Sequence, residues 1–566
     1  MKVALVTGAY DARSVVATAQ RCVNLYMEKN PEDVPYPFTH YPTPGLTYLG
    51  VAPLLAEVRG LYTASNNHLY GVVANKLYDI SSAWVFTLVG TINTSSGPVS
   101  MKDNTLCMVL VDGTTDGWAI DLATNAFGAI VSTAWYGSTH VDYLDTFFIF
   151  NRLNTNQFYS SLSNVTFLDL LGGPILTASL TNAGSSYTNG TYSNVSLTGG
   201  NGSLATATIV VAGTVISTVT LVNGGQDYRA GDVLSANAAD IGGTGSGFAW
   251  TVLTVGSSAF DPLYIAGKTG GNDLLVAAPV MHREISLIGV GTSEVWYDSG
   301  AADFPFQAMP GAFIEHGCQA VYSIAKYDLS LFWLAQDSSG NSFILEETGY
   351  KVRMISTRAI ANEINSYAVK SDAIGFTYIQ QGHAFYVLTF PTQSVTWVWD
   401  IVEQHWHQRQ WNDSDGNAFR WRPNCVAIFN NKIVAGDFQN GQIYSIDLDN
   451  YQDAGNPIVR IRSFPYLENE GDRIIYRNLI AWMEVGAQLT PGTTDSANMT
   501  LRISNDYGVS FPIAIIQSMG DVGAYLTSIQ FNRLGLARAR VFEVSWSAPM
   551  KTALTGVFVE VIPTGS

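Results

Sequence analysis

The sequence predicts an all-β chain built round a β-propeller of about seven blades, with an inserted Gly-rich β domain and a C-terminal β-sandwich-like domain. Three observations predict it. A short apolar strand is followed, after a few polar or glycine residues, by a second strand that often ends in Asp. This unit occurs seven times: Leu69–Ile80, Leu106–Asp121, Tyr143–Ser160, Ile285–Asp298, Leu329–Leu345, Ala384–Asp400 and Val426–Asp447. Once one insertion is set aside, the copies start about 35 to 55 residues apart, the spacing of small sheets that cannot bury both faces alone. Third, the 566 residues are 47% hydrophobic and 12% aromatic but only 13% charged, with 52 glycines. Low charge with glycine punctuation suits β-structure joined by tight turns.

Taken in order, residues 1–50 are unlike the repeats: polar, proline-rich from Pro31 to Pro44, and ending in the turn-like Thr43-Pro44-Gly45. They read as an extended N-terminal arm that packs on something else. Residues 51–172 hold the first part of the propeller. Residues 173–258 contain fifteen glycines and only four charged residues, Asp227, Arg229, Asp232 and Asp240. This stretch is duplicated. Leu180, Asn182, Gly184, Tyr187 and Gly190 recur 41 residues later as Leu221, Asn223, Gly225, Tyr228 and Gly231, and Gly199–Ser203 recurs as Gly242–Ser246. A flexible linker would carry no such duplication, so an inserted β module with strands such as 205–211 and 248–253 is expected. Residues 259–451 resume the propeller. Residues 452–566 carry long alternating strands, 498–504 and 540–546 among them, and read as a C-terminal β domain. One short helix is expected after Ser356 and Thr357, with Ile360 and Ile364 at i, i+4 spacing behind an N-cap.

The net charge of −17 disfavours a protein that grips nucleic-acid phosphates, though an acidic wall would let DNA slide past without sticking. Cys22, Cys107, Cys318 and Cys425 lie far apart with no CxxC pair, as reduced thiols of a cytosolically made protein do. The N-terminus reaches Gly8, Tyr10 and Asp11 too soon for a signal-peptide core, and no run of 18 apolar residues exists, so no spanning segment is expected.

Four motifs invite chemistry, and each has a plainer reading. Lys2–Ala9 resembles the first strand of short-chain dehydrogenases, but Ala12 and Ser14 stand where a dinucleotide site needs glycines, and Asp11 would repel phosphate. Ser504-x-Asp506-x-Gly508-x-x-Phe511 fits the Asp-box hairpin of propeller sialidases, in which Asp and Ser cap a turn. Glu403, His405 and His407 would share one strand face as metal ligands sometimes do, yet Trp399, Trp406 and Trp411 surround them and favour packed or surface histidines. Asp447, Asp449 and Asp453 have loose calcium-loop spacing without the glycine and final Glu of an EF-hand, and read as a turn. No Ser, His and Asp set stands out as a triad. No catalytic, cofactor-binding or metal site is therefore assigned, and no cofactor is expected.

Two stretches go beyond composition: Gln20-Arg21-Cys22-Val23-Asn24-Leu25-Tyr26-Met27-Glu28 with Pro42–Leu46, and His282-Arg283-Glu284 through Ser293–Tyr297, Gly311, Ile314–Cys318 and Ile355-Ser356-Thr357. Together they resemble the packaged-DNA-stabilisation, or tail hub and nozzle, proteins of short-tailed bacteriophages. The resemblance covers most of 10–172 and 259–450, the C-terminal domain more weakly, and not the Gly-rich insert. It implies a virion protein assembled in the host cytoplasm as a homo-oligomeric, six-fold ring. A portal-adaptor protein would lie above and tail fibre or needle proteins below, with DNA passing through the centre without sequence-specific binding. It carries no catalytic residues. The alternative from a different class is a propeller-based tailspike or glycosidase acting on host surface polysaccharide, which two carboxylates sharing a cleft would require.

Overall fold

The computed structural model describes residues 2–6, 20–32, 36–301, 303–337, 339–490, 497–525 and 527–564. Gly8, Tyr10, Asp11, Ala12 and Ser14 lie outside the described residues. The structure is all-β. Each sequence repeat is an antiparallel hairpin: 69–73 with 76–80, 107–111 with 118–121, 147–151 with 157–160, and 284–289 with 293–298. The remaining three are 330–336 with 342–348, 383–390 with 395–400, and 432–437 with 442–447. Local turn chemistry sets the hairpins. Asn430 and Asn431 both adopt left-handed φ (51° and 57°) between the strands Pro423–Phe429 and Lys432–Asp437, the geometry that lets a two-residue turn match strand twist.

The chain divides into two compact units, Tyr62–Ser81 with Phe86–Gly317, and Met1–Leu61 with Ser82–Val85 and Cys318–Ser566. In the first, the sheet that begins Val141–Leu144, Phe147–Asn151 and Gln157–Ser160 takes its last strand, Ile265–Gly267, from beyond the insert. The insert therefore leaves and re-enters the propeller between the third and fourth strands of one sheet. A helix not foreseen in the sequence, Phe167–Leu171, precedes it. Thr166 and Asp169 form a reciprocal capping box at its start.

The insert is one six-stranded sheet whose two copies exchange strands. Ile175–Ser185 of the first copy pairs with Ser246–Val255 of the second, and Val215–Asn223 of the second pairs with Thr206–Ala212 of the first. The duplicated residues occupy matching places. Asn182 Oδ1 accepts from Gly184 N and Asn223 Oδ1 from Gly225 N, each at 3.0 Å. A Cβ on Gly245 would lie 2.1 Å from the Tyr187 ring, and one on Gly202 would lie 2.5 Å from that of Tyr228. Glycine recurs at these positions because each buried tyrosine lies flat on the backbone of its neighbouring loop.

In the second unit, Pro423–Phe429, Lys432–Asp437 and Gln442–Asp447 are completed by a strand from far upstream, Gly45–Val51, paired antiparallel with 442–447. The described residues of 1–50, expected as an arm, thus enter several sheets. Leu25–Lys29 and Phe38–Pro42 form a hairpin on the edge of a sheet that continues with Ala553–Pro563, Ile474–Glu484 and Ile529–Ala537. A second C-terminal sheet contains Arg460–Ser463, Ala539–Trp546, Asn498–Ser504 and Ile513–Ser518. The two enclose one core that includes Leu25, Leu479, Leu501, Phe531, Phe542 and Val559. The expected helix is Arg358–Ser366. Thr357 Oγ1 accepts from Ile360 N at 3.3 Å, and Ile360 and Ile364 are buried.

Candidate functional site

The first of the two blocks that carry the family resemblance, Gln20–Glu28 with Pro42–Leu46, lies at a joint of the second unit. Cys22–Val23 is a two-residue strand lying between Arg460–Ser463, to which it is antiparallel, and His405–Asn412, to which it is parallel. It fuses a propeller sheet and a C-terminal sheet into one continuous structure. Asn24 locks the joint. Its φ of 54° turns the chain, a conformation that Asn tolerates better than most residues. Its Nδ2 donates to the carbonyls of Gln410 (3.0 Å) and Val459 (2.8 Å), while its Oδ1 accepts from Gln410 N (3.0 Å). One side chain thereby satisfies backbone groups on both flanking strands.

Three buried arginines clasp the same joint. Arg409 donates from Nη2 to the Pro44 carbonyl at 2.6 Å and stacks 3.5 Å over the Trp421 ring. Arg460 donates to the carbonyls of Ile458 and Ala548 at 3.3 Å. Arg462 donates from Nε to His40 Nε2 at 3.1 Å and from Nη1 to Ser463 O at 2.8 Å. Burial lowers each guanidinium, Arg460 to about 10, which still leaves it charged near neutrality. Carbonyl acceptors suit such cations because removing a partner from a buried charge costs more than the pair contributes. No motif in the sequence marks these arginines. The available signal was the alternation Arg460-Ile461-Arg462 within an apolar strand.

The structure disperses the candidate ligand sets. Glu403 lies in the turn before the strand, where its carboxylate accepts from Lys29 N at 3.2 Å. His405 meets the Phe38 ring edge-on at 6.2 Å and His407 meets Phe385 at 6.0 Å. Burial lowers both histidines, His407 to about 3, so both are neutral packing groups. Asp447 and Asp449 do form a turn, with Asp449 N donating to Asp447 Oδ1 at 3.0 Å. Asp453 instead is buried, its carboxyl raised to about 6 by desolvation against the opposing pull of Arg409, Arg460 and Arg422. Among the described residues, no three His, Cys, Asp or Glu side chains converge as a metal-binding group.

Asp506 caps its hairpin as the motif requires. It accepts from Ser510 N at 2.9 Å and from the hydroxyls of Ser504 and Ser510 at 2.5 Å, which hold its carboxyl near about 2. The same turn chemistry recurs without the motif: Asp337 accepts from Asn341 and Asp413 from Asn417, each through backbone N (2.8 Å) and Nδ2 (2.9 Å). These aspartates therefore shape loops. Cys22, Cys107, Cys318 and Cys425 are free thiols, all raised by burial, and so are poor nucleophiles. No described helix is long and apolar enough to cross a membrane.

Sheets built from sequential hairpins, with turn and packing roles for the candidate polar motifs, define a β-propeller protein. The chain belongs to the phage-stabilisation family described as bacteriophage P22 Gp10, beta-propeller, whose model matches residues 1–173 and 205–451. It is a phage structural protein. No protein with a curated description matches the sequence. Similar solved structures include the WD40 propeller domain of Doa1 (TM-score 0.32, 8% identity, 71% of this chain and 97% of that one). Others are the computationally designed Ika8 protein (0.30, 12%, 71% and 100%) and BamB from Moraxella catarrhalis (0.31, 8%, 71% and 99%).

Proposed function

We propose that this chain is a tail hub or nozzle protein that forms a ring below the portal and its adaptor, retains packaged DNA and gives it an exit channel during ejection. The observation that carries the reading is the family match over residues 1–173 and 205–451. The clasped joint supports it, since a ring under the pressure of packaged DNA needs its propeller and terminal sheets to move as one body. The net charge of −17 suits a wall that releases DNA. The role is assembly: ring formation, docking to an adaptor above, and contact with fibre or needle proteins below, in the virion. The copy number per purified phage particle tests it, measured by quantitative mass spectrometry against the major capsid protein. About six copies, one ring at a single vertex, support the hub. Absence from the particle refutes it.

A further inference from the structure

The C-terminal sheet that holds Arg460–Ser463, Ala539–Trp546 and Asn498–Ser504 ends in the strand Ile513–Ser518, which is paired on one side only. Just past it, Met519 N donates to Ala497 O at 2.7 Å, back toward the strand Asn498–Ser504. Bonded and unbonded residues alternate along an antiparallel pair. The backbone N–H and C=O groups of Ala514, Ile516 and Ser518 therefore point the other way, out from the sheet edge. Among the described residues, nothing pairs with them. The strand reads Ile-Ala-Ile-Ile-Gln-Ser, with no charge, no proline and no shift in its register. Ile516 is 64% exposed, and the turns on either side expose Val509 and Tyr525 to a similar degree.

Open edges of this kind recruit other strands, and proteins block them with charge, bulges or proline. The other sheet of the same domain does so. Its edge strand, Ile529–Ala537, lies beside 513–518. That strand has a register shift against Ile474–Glu484, left-handed φ at Arg533 (58°) and Gly535 (84°), and an exposed Arg533. One edge is guarded and its neighbour is open. The open edge selects its ligand by geometry, since only an extended backbone can meet alternating N–H and C=O groups.

The surrounding charges choose the occupant. Asp506 lies in the turn before the strand and Asp521 in the turn after it, both exposed. A second copy paired antiparallel through this edge would bring each Asp506 turn to the other's Asp521 turn, on chains that each carry −17. Basic ends on a foreign strand would meet both aspartates. Arg502, on the adjoining strand, is already paired with Glu543 at 3.1 Å, and Arg533 disfavours positive charge in the middle of the added strand. We propose that the 513–518 edge accepts an extended segment of another polypeptide as an added strand, one with an uncharged β-branched middle and Lys or Arg at its ends. The edge neither needs the ring nor is explained by it, so the two readings stand or fall separately.

Hydrogen exchange on the full chain tests the proposal with the peptide KKTVTITVKK, and with EETVTITVEE as its acidic counterpart. Each is supplied at about 1 mM, enough to fill most of a site of Kd about 100 μM. The expected result is exchange about ten-fold slower in 513–518 with the basic peptide, a smaller effect with the acidic one, and none in 529–537. Ile516→Pro removes one outward N–H while the neighbouring inward bonds remain. Ile516→Lys sets a cation on the edge without altering the backbone, and serves if the proline variant does not fold. Each should cut the slowing to about three-fold or less, as losing about one hydrogen bond would. No slowing in 513–518, equal slowing in 529–537, a stronger effect from the acidic peptide, or full slowing in the folded variants would overturn it. So would protection of 513–518 that rises with protein concentration in the absence of peptide, which would give the edge to a second copy.

Discussion

Replacing Gly45 with Ala should unlatch the strand that completes the 423–447 sheet. A Cβ at this position would lie 2.4 Å from Asn450 O and 2.5 Å from Gln452 O, with the Asn450 carbonyl carbon at 2.9 Å. All three are backbone atoms, so no side chain can swing aside, and the strand must retreat by most of an ångström. That movement stretches the 2.9 Å hydrogen bond from Gly45 N to Asn450 O and disturbs the register with 442–447. Overpacking of this kind costs about 1 to 3 kcal/mol, which corresponds to a change of about 5- to 150-fold in the opening equilibrium. Hydrogen exchange should show that loss of protection in the amides of 46–51 and their partners. The Asn498–Ser504 strand should keep its own protection, because local opening need not reach the C-terminal core. Unchanged exchange at 46–51, or an equal loss across the whole unit, would refute the argument. Leu46→Ala is the contrast: Leu46 is fully buried, and the cavity should lower the stability of the whole unit by about 2 to 5 kcal/mol.

Other predictions follow from burial and pairing. His407, held to about 3, and His40, well below its ordinary value, stay neutral when folded. The unfolded chain takes up their protons below about pH 6.5. Their contribution to stability is therefore complete above that pH and lost as pH falls, by about 1.4 kcal/mol per unit for each histidine. Asp453, raised to about 6, works the other way, since its contribution is lost as pH rises through that value. His407→Leu should show a shallower acid limb in urea denaturation between pH 6 and 4. In the Lys268–Asp273 pair (2.7 Å), the lysine side chain is fully buried and the aspartate is 24% exposed. Asp273→Ala should cost about 3 to 5 kcal/mol. Lys268→Met should cost less, because Asp273 keeps its hydrogen bonds from Gly291 N, Thr292 N and the Thr292 hydroxyl. Thermal melts of the two variants test the order. Excising 173–258 with a short linker should leave a soluble protein, since Gly256 N donates to Pro174 O at 2.7 Å and the ends already meet. Removing one copy alone should give insoluble protein, as each copy's first strand would lose its partner.

Sequence alone determined the local structure. Apolar runs bounded by turn residues located the seven hairpins, and the 41-residue duplication marked the insert as folded. Thr357 with Ile360 and Ile364 located the longer helix. These signals survive because alternation, capping and turn chemistry act between residues close along the chain. The block around Cys22–Glu28 pointed to the family before the reason for those residues was visible. What the tertiary structure decided is partnership across hundreds of residues. Gly45–Val51 belongs beside 442–447, Cys22–Val23 between 405–412 and 460–463, and each copy's first strand in the insert with the other copy's third. Backbone hydrogen bonds carry no sequence label, so a strand's pattern tells which face is buried and not which strand lies beside it. The buried arginines were hidden for the same reason. The acceptors of Arg409 and Arg460 are carbonyls of Pro44, Ile458 and Ala548, atoms every residue has, so only the fold decides which of them a guanidinium meets.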